Sequence, residues 1–166
     1  MTDPVEQAWK IHSAQVDWTG KVDSKASFAF GIESAALGLT VALSASGRLF
    51  ARLNAPIPNV LYWLGLAALL AGATCSLLAV LPRLRGAEAT TREAAENFIY
   101  FGHLRHWKAK DLAERLQDGA VLDVLARQCV TMAGIAWRKH RLVQASMISG
   151  AAGIASLVLC GIVVTA

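Results

Sequence analysis

Apolar residues are concentrated in three long stretches of this 166-residue chain, and polar residues fill the segments between them. The stretches are 26–46, 60–81 and 145–165, with 21, 22 and 21 residues. A helix that crosses a bilayer needs about 20 predominantly apolar residues. The second and third stretches contain no charged residue and no histidine, and the first contains one charged residue, Glu33. The pattern predicts a small all-α membrane protein with three transmembrane helices.

The polar segments predict an orientation, because Lys and Arg near the ends of spans stay preferentially on the cytoplasmic side. Residues 1–25 contain three Lys or Arg and residues 82–144 contain eleven, whereas the loop 47–59 contains only Arg48 and Arg52. We therefore expect 1–25 and 82–144 in the cytoplasm, and the loop 47–59 and the C-terminus outside. Residues 1–25 lack the apolar core of a signal peptide, so the first span is the expected insertion signal.

Residues 1–25 are predicted to form a cytoplasmic helix. Asp3 suits the capping position and Pro4 the first helical position. One face of this helix carries Val5, Trp9, His12 and Val16. We expect that face to pack against other cytoplasmic helices, since the opposite face is not rich in Lys and Arg. The run 18–20 (Trp-Thr-Gly) is predicted to interrupt the helix before the first span.

Residues 82–144 are predicted to be helical throughout. The basic flank of Arg83 and Arg85 follows the second span, and Thr90-x-x-Glu93 has the spacing of a capping box that opens a long helix. A further helix is expected at 108–117, followed by a turn at 118–119. The last helix has no breaker after that turn, which allows an unbroken run into the third span, but the sequence leaves this continuity open. Together with residues 1–25, this segment would form a helical cytoplasmic domain.

Composition excludes several classes of function. The mean hydropathy of +0.43 and the length leave little room for an independent soluble enzyme. No phosphate-binding glycine loop and no nucleophile motif is present, so we predict a protein that is not an enzyme. The three cysteines show no C-x-x-C spacing, and His103 and His106 have no obvious third ligand nearby, so no metal or cofactor is expected. Acidic residues interleave with the basic ones, which argues against nucleic-acid binding.

Glu33 is the first candidate functional residue, because an ionisable group within a span costs about 2.5–3.5 kcal/mol on insertion scales and usually faces a partner or water. It could reach interfacial water or a basic neighbour, or it could line an aqueous path or an oligomer interface. Small residues recur at four-residue spacing in every span, which permits close helix packing. Three helices are too few to enclose a pore in a monomer, so a transport function would require a homo-oligomer.

Two cytoplasmic runs are candidates for binding an anion or a nucleotide. The first is the aromatic and histidine run 97–107, and the second is the basic run 138–141 immediately before the third span. Aromatic rings can stack on a base, and Arg can contact a phosphate with two hydrogen bonds. Both runs also have ordinary alternatives, as a helical core and as juxtamembrane anchors.

The chain resembles the Pycsar transmembrane effector family over roughly residues 8–165. The residues that carry the resemblance are Trp18, the motif Val22-Asp23-Ser24-Lys25-Ala26, the run 98–104, Ile135-Ala136 and Lys139-His140. Members are antiphage effectors of the bacterial inner membrane, encoded beside a cyclase that makes cyclic UMP or cyclic CMP after infection. The resemblance implies an effector that senses this nucleotide and impairs the membrane, which arrests growth or kills the cell. Because no β-roll sequence is present, its sensor would have to be helical.

The family motifs, which supply Lys25, Tyr100, His103 and Lys139, and the chemistry of a cyclic nucleotide together give candidate ligand contacts. They are Lys25, Asn97, Tyr100, His103, Arg105, Trp107, Arg138 and Lys139. Among them, Arg105, Arg138 or Lys139 would meet the phosphate, and Tyr100 or Trp107 would stack on the pyrimidine. Asn97 would hydrogen-bond the edge of the base. Asp23 is expected to be structural, in an ion pair with Lys25 where the chain enters the membrane.

Three other functions remain open from the sequence. The chain could be a membrane subunit that docks a cytoplasmic partner through its helices, and it would then respond to no ligand. It could be a holin-like toxin that forms pores at high concentration without a ligand, although the long cytoplasmic segment is unnecessary for that role. A membrane enzyme would require His103, Glu33 and Glu96 to meet.

Overall fold

A computed structural model describes residues 3–45, 47–51, 53–82, 86–117, 119 and 121–165. Over these residues the chain is helical and contains no strand. The helices are α1 (Pro4–Ser44), α2 (Pro56–Val80), α3 (Ala87–Glu93), α4 (Phe101–Leu104), α5 (Ala109–Gln117) and α6 (Val121–Thr165), with a 3₁₀ turn at Ala94–Glu96. Helices α1, α2 and α6 are each long and apolar enough to cross a membrane. The predicted fold class is confirmed, whereas Ser46, Arg52, Arg83, Arg85 and Asp118 lie outside the described residues.

The chain divides into two compact units. The first, which we call the polar unit, combines Met1–Gly20 with Pro82–Trp137. The second, the apolar unit, combines Lys21–Leu81 with Arg138–Ala166. Helices α1 and α6 each contribute residues to both units. The sequence leaves open whether the helix after residue 119 is continuous with the third span, and the structure shows one helix, the 45-residue α6.

Helix α1 corrects the expected break at residues 18–20, because it continues through them to Ser44. The Thr19 hydroxyl donates to the Gln15 carbonyl at 2.8 Å, so its side chain is satisfied within the helix. A glycine inside a helix costs only about 1 kcal/mol relative to alanine, and packing overrides a cost of this size. At the start of α1 the Val5 amide donates to Asp3 Oδ1 at 3.1 Å, as the capping pattern predicts.

The buried face of α1 in the polar unit is rotated from the predicted one. Trp9 and Val16 are exposed, whereas Ala8 and Gln15 are buried. The small Ala8 permits close contact with α6, where Cys129 Sγ lies 3.6 Å from the Ala8 carbonyl oxygen and Gln15 Nε2 donates to the Cys129 carbonyl at 3.0 Å. Burial raises the pKa of the Cys129 thiol. The packed face of α1 therefore consists of the small Ala8 and the polar Gln15, whereas the large side chains of Trp9 and Val16 remain exposed.

The segment after α2 is more broken than its capping pattern predicts. Helix α3 begins before Thr90, whose hydroxyl donates to carbonyls of its own first turn, and it ends at Glu93. The backbone becomes extended at Asn97, whose side-chain amide donates to the Glu93 carbonyl at 3.0 Å. Gly102 packs against the Tyr100 ring, where a Cβ atom would overlap the ring. The long helix expected from residue 90 is therefore wrong, whereas α5 and α6 match their predicted positions.

Glycines bring α2 and α6 together in the apolar unit. A Cβ atom added at Gly153 would lie 2.8 Å from the Leu69 amide nitrogen and 2.9 Å from the Gly65 carbonyl oxygen. At Gly65, a Cβ atom would lie 2.7 Å from Leu157 Cγ. Backbones this close have no room for side chains between them, as is typical of small residues at helix interfaces in lipid. By contrast, Gly31 and Gly38 on α1 have no atom near their added Cβ positions.

We expect Gly153→Ala to destabilise the protein, because the backbone of α2 has to move to admit the methyl group. Such overpacking costs about 1–3 kcal/mol. The matched control is Gly134→Ala in the same helix, where nothing lies within 4 Å of the added Cβ and alanine is the better helix former. Thermal unfolding in detergent should give a lower midpoint for Gly153→Ala than for Gly134→Ala. Equal midpoints would show that the α2–α6 contact is not tight.

Candidate functional site: a buried carboxylate among the spans

The Glu33 side chain lies at the meeting point of α1, α2 and α6, and the residue is only 2% exposed. Ser146 on α6 donates its hydroxyl to Glu33 Oε1 at 2.8 Å. Ser76 on α2 lies 2.9 Å from Glu33 Oε2 and is placed to donate to it. Both serines are fully buried. Each carboxyl oxygen thus has a hydroxyl partner from a different span.

Two glycines make room for the carboxyl group. A Cβ atom added at Gly72 on α2 would lie 2.5 Å from Glu33 Oε1, and one added at Gly150 on α6 would lie 2.7 Å from the same oxygen. An alanine at either position would therefore displace the carboxyl group. The glycine of α2 precedes its serine by four residues, and the glycine of α6 follows its serine by four, so each pair occupies one helical face. We call Glu33, Gly72, Ser76, Ser146 and Gly150 the carboxylate node.

Glu33 was predicted to be structural or to line a pore, and one expectation was that it reached interfacial water or a basic neighbour. In the structure it is buried, and its hydrogen-bond partners are two serines and not water or a basic residue. A buried polar group in hydrocarbon needs hydrogen-bond partners, since leaving it unsatisfied costs several kcal/mol. The hydrogen bonds of the node therefore fix the rotation of three helices relative to one another.

The Asp23 carboxylate forms an ion pair with Lys139. Lys139 Nζ lies 2.6 and 2.8 Å from the two Asp23 oxygens. The expectation that Asp23 is structural agrees with this contact, but its partner is Lys139 on α6 and not Lys25. Beside this pair in the chain, Val22 and Ala26 join Ala79 and Val143 in a buried apolar cluster. The ion pair therefore ties α1 to α6 at one end of the apolar unit.

The aromatic run forms a small core within the polar unit. The Trp107 indole nitrogen donates to the carbonyls of Ala94, at 2.7 Å, and Asn97, at 3.1 Å. The Trp107 ring packs edge-on against Phe98, with centroids 6.0 Å apart. The structure thus brings the predicted ligand contacts Asn97 and Trp107 together, and it engages both of them in packing the chain on itself.

His103 is buried in the same unit and is 5% exposed. The Tyr100 ring meets it edge-on, with centroids 5.3 Å apart. His103 Nε2 lies 3.3 Å from Glu93 Oε2, just beyond the usual hydrogen-bond range, and Nδ1 has no hydrogen-bond partner among the described residues. Tyr100 and His103 are thus adjacent, as a shared binding site requires, but the imidazole is turned inward.

The predicted basic contacts are more accessible. Arg105 is exposed and its Nε donates to His106 Nε2 at 3.1 Å. Arg138 and Lys25 are also exposed, and they belong to the apolar unit together with Lys139. No group of three His, Cys, Asp or Glu side chains among the described residues is arranged to hold a metal ion.

Sequence reasoning missed the partners of Glu33. The four-residue spacing of small residues in span two includes Gly72 and Ser76, but that spacing alone does not connect them, or Ser146 and Gly150, with Glu33. A usable signal was present, because each remaining span contains a serine and a glycine four residues apart. A carboxylate in one span and such pairs in the other spans together predict a hydrogen-bonded node.

The fold and this site define a small helical protein of the membrane, with one carboxylate buried among three spans. Residues 7–166 match the Pycsar effector protein domain, so the chain belongs to the Pycsar effector family. The resemblance noted in the sequence is thereby confirmed, and with it the role of an antiphage membrane effector. Searches of curated proteins and of solved structures found no match.

We expect Ser146→Ala and Ser76→Ala each to lower the free energy of unfolding by about 1 kcal/mol, because each removes a partner of a buried carboxyl group. The same changes should have little effect in a Glu33→Ala background, where there is no carboxyl group to satisfy. Chemical unfolding in detergent of the single and double variants measures this coupling. Thr74→Ala is the control, since that hydroxyl is exposed and bonds only within its own helix at Leu70. Equal serine effects in both backgrounds would contradict the node.

Proposed function

We propose that the protein senses cyclic UMP or cyclic CMP in the cytoplasm and responds by opening an ion-permeable path through the inner membrane. Membership of the Pycsar effector family supports this proposal, since it makes the chain an antiphage membrane effector. The observation that supports the mechanism is the carboxylate node. Its hydrogen bonds hold three spans in one arrangement, and a change in helix rotation would expose a carboxylate suited to a cation path.

The proposed orientation places the N-terminus and residues 82–144 in the cytoplasm and the C-terminus in the periplasm. The distribution of Lys and Arg supports it, with fourteen in these two cytoplasmic segments and two in the outer loop. The nucleotide would then meet the polar unit on the side where a cyclase makes it.

The proposed nucleotide site draws on exposed groups more than on buried ones. In the polar unit Arg105 is exposed and is the candidate for the phosphate, and in the apolar unit the exposed Arg138 is a separate candidate for an anion. Tyr100 is half-buried and is the candidate for stacking on the base. Three other predicted contacts, Asn97, His103 and Trp107, would position the site and not touch the nucleotide. Trp107 bonds to the Asn97 carbonyl, and His103 packs against the Tyr100 ring. Lys139 could reach a phosphate only in competition with Asp23.

Ligand binding would reach the spans through α1 and α6, because each is one continuous helix that carries residues of both units. A ligand shifts the balance only by its differential affinity for the open state. Moving that balance from 1:99 to 99:1 takes about 5.5 kcal/mol, which several sites in a homo-oligomer could share. Gly31, Ser34, Ala35 and Gly38 lie on an exposed face of α1 and are free to support such an oligomer.

We expect cyclic UMP or cyclic CMP, but not cyclic AMP, to increase ion flux through vesicles that contain the purified protein. The same nucleotide should raise the thermal stability of the protein in detergent. A ligand at 100 times its dissociation constant adds about 2.7 kcal/mol if it binds only the folded state. Folded protein that neither binds a cyclic pyrimidine nucleotide nor changes flux would contradict the proposal and would favour a partner-docking subunit.

A matched pair of variants tests the contribution of Lys139 in the same assays. Lys139→Met removes the ammonium group, whereas Asp23→Asn breaks the ion pair and leaves the ammonium group in place. If Lys139 contacts the phosphate, only Lys139→Met should lose the nucleotide response. If both variants lose it equally, the ion pair is structural and Lys139 does not contact the ligand.

A further inference from the structure

The apolar unit has an open groove between α1 and α6, with a volume of about 450 Å³. Its wall is almost wholly apolar, and Phe28, Ile32, Met147 and Ile154 are prominent in it. Along α1 the lining extends from Ser24 to Glu33, which is about 14 Å of helix at 1.5 Å per residue. Half of a typical hydrocarbon core is about 15 Å thick, so the groove has the length of one leaflet.

One end of the groove carries positive charge. Lys25 lines that end, is exposed and has no ion-pair partner among the described residues. Lys21 lies one turn before it on the same face of α1, and His140 lies seven residues before Met147 on the matching face of α6. Both of these residues have other interactions, but they add to the positive potential. The groove thus combines an apolar channel with a basic end where the chain leaves the hydrocarbon.

The far end of the groove reaches the carboxylate node. Glu33 and Gly150 line it there, but the carboxyl oxygens of Glu33 bond to Ser76 and Ser146. Because both oxygens have hydroxyl partners, an apolar chain beside them leaves neither oxygen without a hydrogen bond. An apolar chain in the groove would cover this side of the node.

A second copy of the chain is the less suitable occupant. The small residues of α1 that favour helix contact in lipid are Gly31, Ala35 and Gly38. None of them lines the groove, although Gly31 and Ala35 follow Phe28 by three and seven residues and lie beside it on α1. The basic end argues against a second copy instead, because the carboxylates of the apolar unit, Asp23 and Glu33, are already engaged by Lys139 and by two serines and offer Lys25 a poor partner.

We propose that the groove binds one acyl chain of an anionic phospholipid, with the lipid phosphate at Lys25. Basic pockets between transmembrane helices are a known setting for anionic headgroups. The contact between Lys25 and the lipid phosphate places the phosphate at the hydrocarbon boundary. The acyl chain then fills the space between Phe28 and Ile154. The proposal does not depend on the nucleotide or on the direction in which the chain crosses the membrane.

Native mass spectrometry of the full chain tests this proposal, with micelles that contain phosphatidylglycerol and phosphatidylcholine in equal amounts. We expect the wild-type chain to retain phosphatidylglycerol in preference to phosphatidylcholine. Ala151→Phe fills the groove and should remove most of the bound lipid. The matched control is Ala152→Phe, since Ala152 is equally exposed on the next position of α6 but does not line the groove.

Lys25→Ala provides a second variant that leaves the packing of the spans intact. It should lower phosphatidylglycerol retention about fivefold, which corresponds to one basic side chain near an anionic lipid surface. Lys110→Ala in α5 removes the same charge away from the groove and should have no effect. Equal retention by all four variants would overturn the proposal. The proposal would also be overturned if Ala151→Phe changed the mass of the oligomer without loss of lipid, because the groove would then hold a second copy.

The nucleotide-dependent thermal shift, measured on the same samples, separates this proposal from the proposed function. Ala151→Phe is expected to keep the shift while losing the lipid. Loss of lipid retention with the shift preserved supports the groove as a lipid site whatever its effect on gating. A wild-type chain with no lipid preference but a normal shift would overturn the lipid site and leave the proposed function standing.

Discussion

The arrangement of the spans depends on one requirement, that the carboxyl group of Glu33 be hydrogen-bonded inside the membrane. No water is available in hydrocarbon to satisfy it, so its partners must come from the protein. Ser76 and Ser146 supply them from two different helices, at 2.9 and 2.8 Å. Because both oxygens are engaged, rotation or sliding of any one span breaks at least one of these hydrogen bonds. These hydrogen bonds thereby give the three helices of the apolar unit one register.

The glycines of the spans serve this same requirement. Gly72 and Gly150 leave space for the carboxyl group, and Gly65 and Gly153 let the backbones of α2 and α6 approach beside it. Helices in lipid associate through close packing and polar contacts, since burial from water contributes nothing between them. The Asp23–Lys139 ion pair adds a second polar link between α1 and α6, at 2.6 Å. Two sets of polar contacts therefore hold the apolar unit together, the Asp23–Lys139 ion pair and the hydrogen bonds of Glu33. Tightly packed glycines surround the second set.

The number of spans, the all-α class, the family and the importance of Glu33 could be predicted from the sequence, because each depends on local composition or a contiguous motif. The partners of Glu33 and of Asp23 were not predicted, since they lie 43 to 116 residues away in the chain, and only the glycine and serine pairs of the other spans pointed to those of Glu33. Residues 18–20 illustrate another limit, since one glycine costs a helix only about 1 kcal/mol and the buried residues on either side, Gln15 and Val22, keep α1 continuous. The capping pattern at Thr90 gave the wrong helix start for a different reason. A threonine hydroxyl can also donate to a carbonyl of its own helix, as Thr90 does in the first turn of α3.

The proposed function requires a closed state that persists until the ligand binds, and the carboxylate node offers a physical basis for such a state. The most direct measurement is the ion leak of vesicles that contain Glu33→Ala protein, without any nucleotide. If the node holds the spans closed, this variant should leak more than the wild-type chain, and Glu33→Gln, which keeps hydrogen-bonding groups, should leak less than Glu33→Ala. Folded Glu33→Ala protein that is as tight as the wild-type chain would contradict this account.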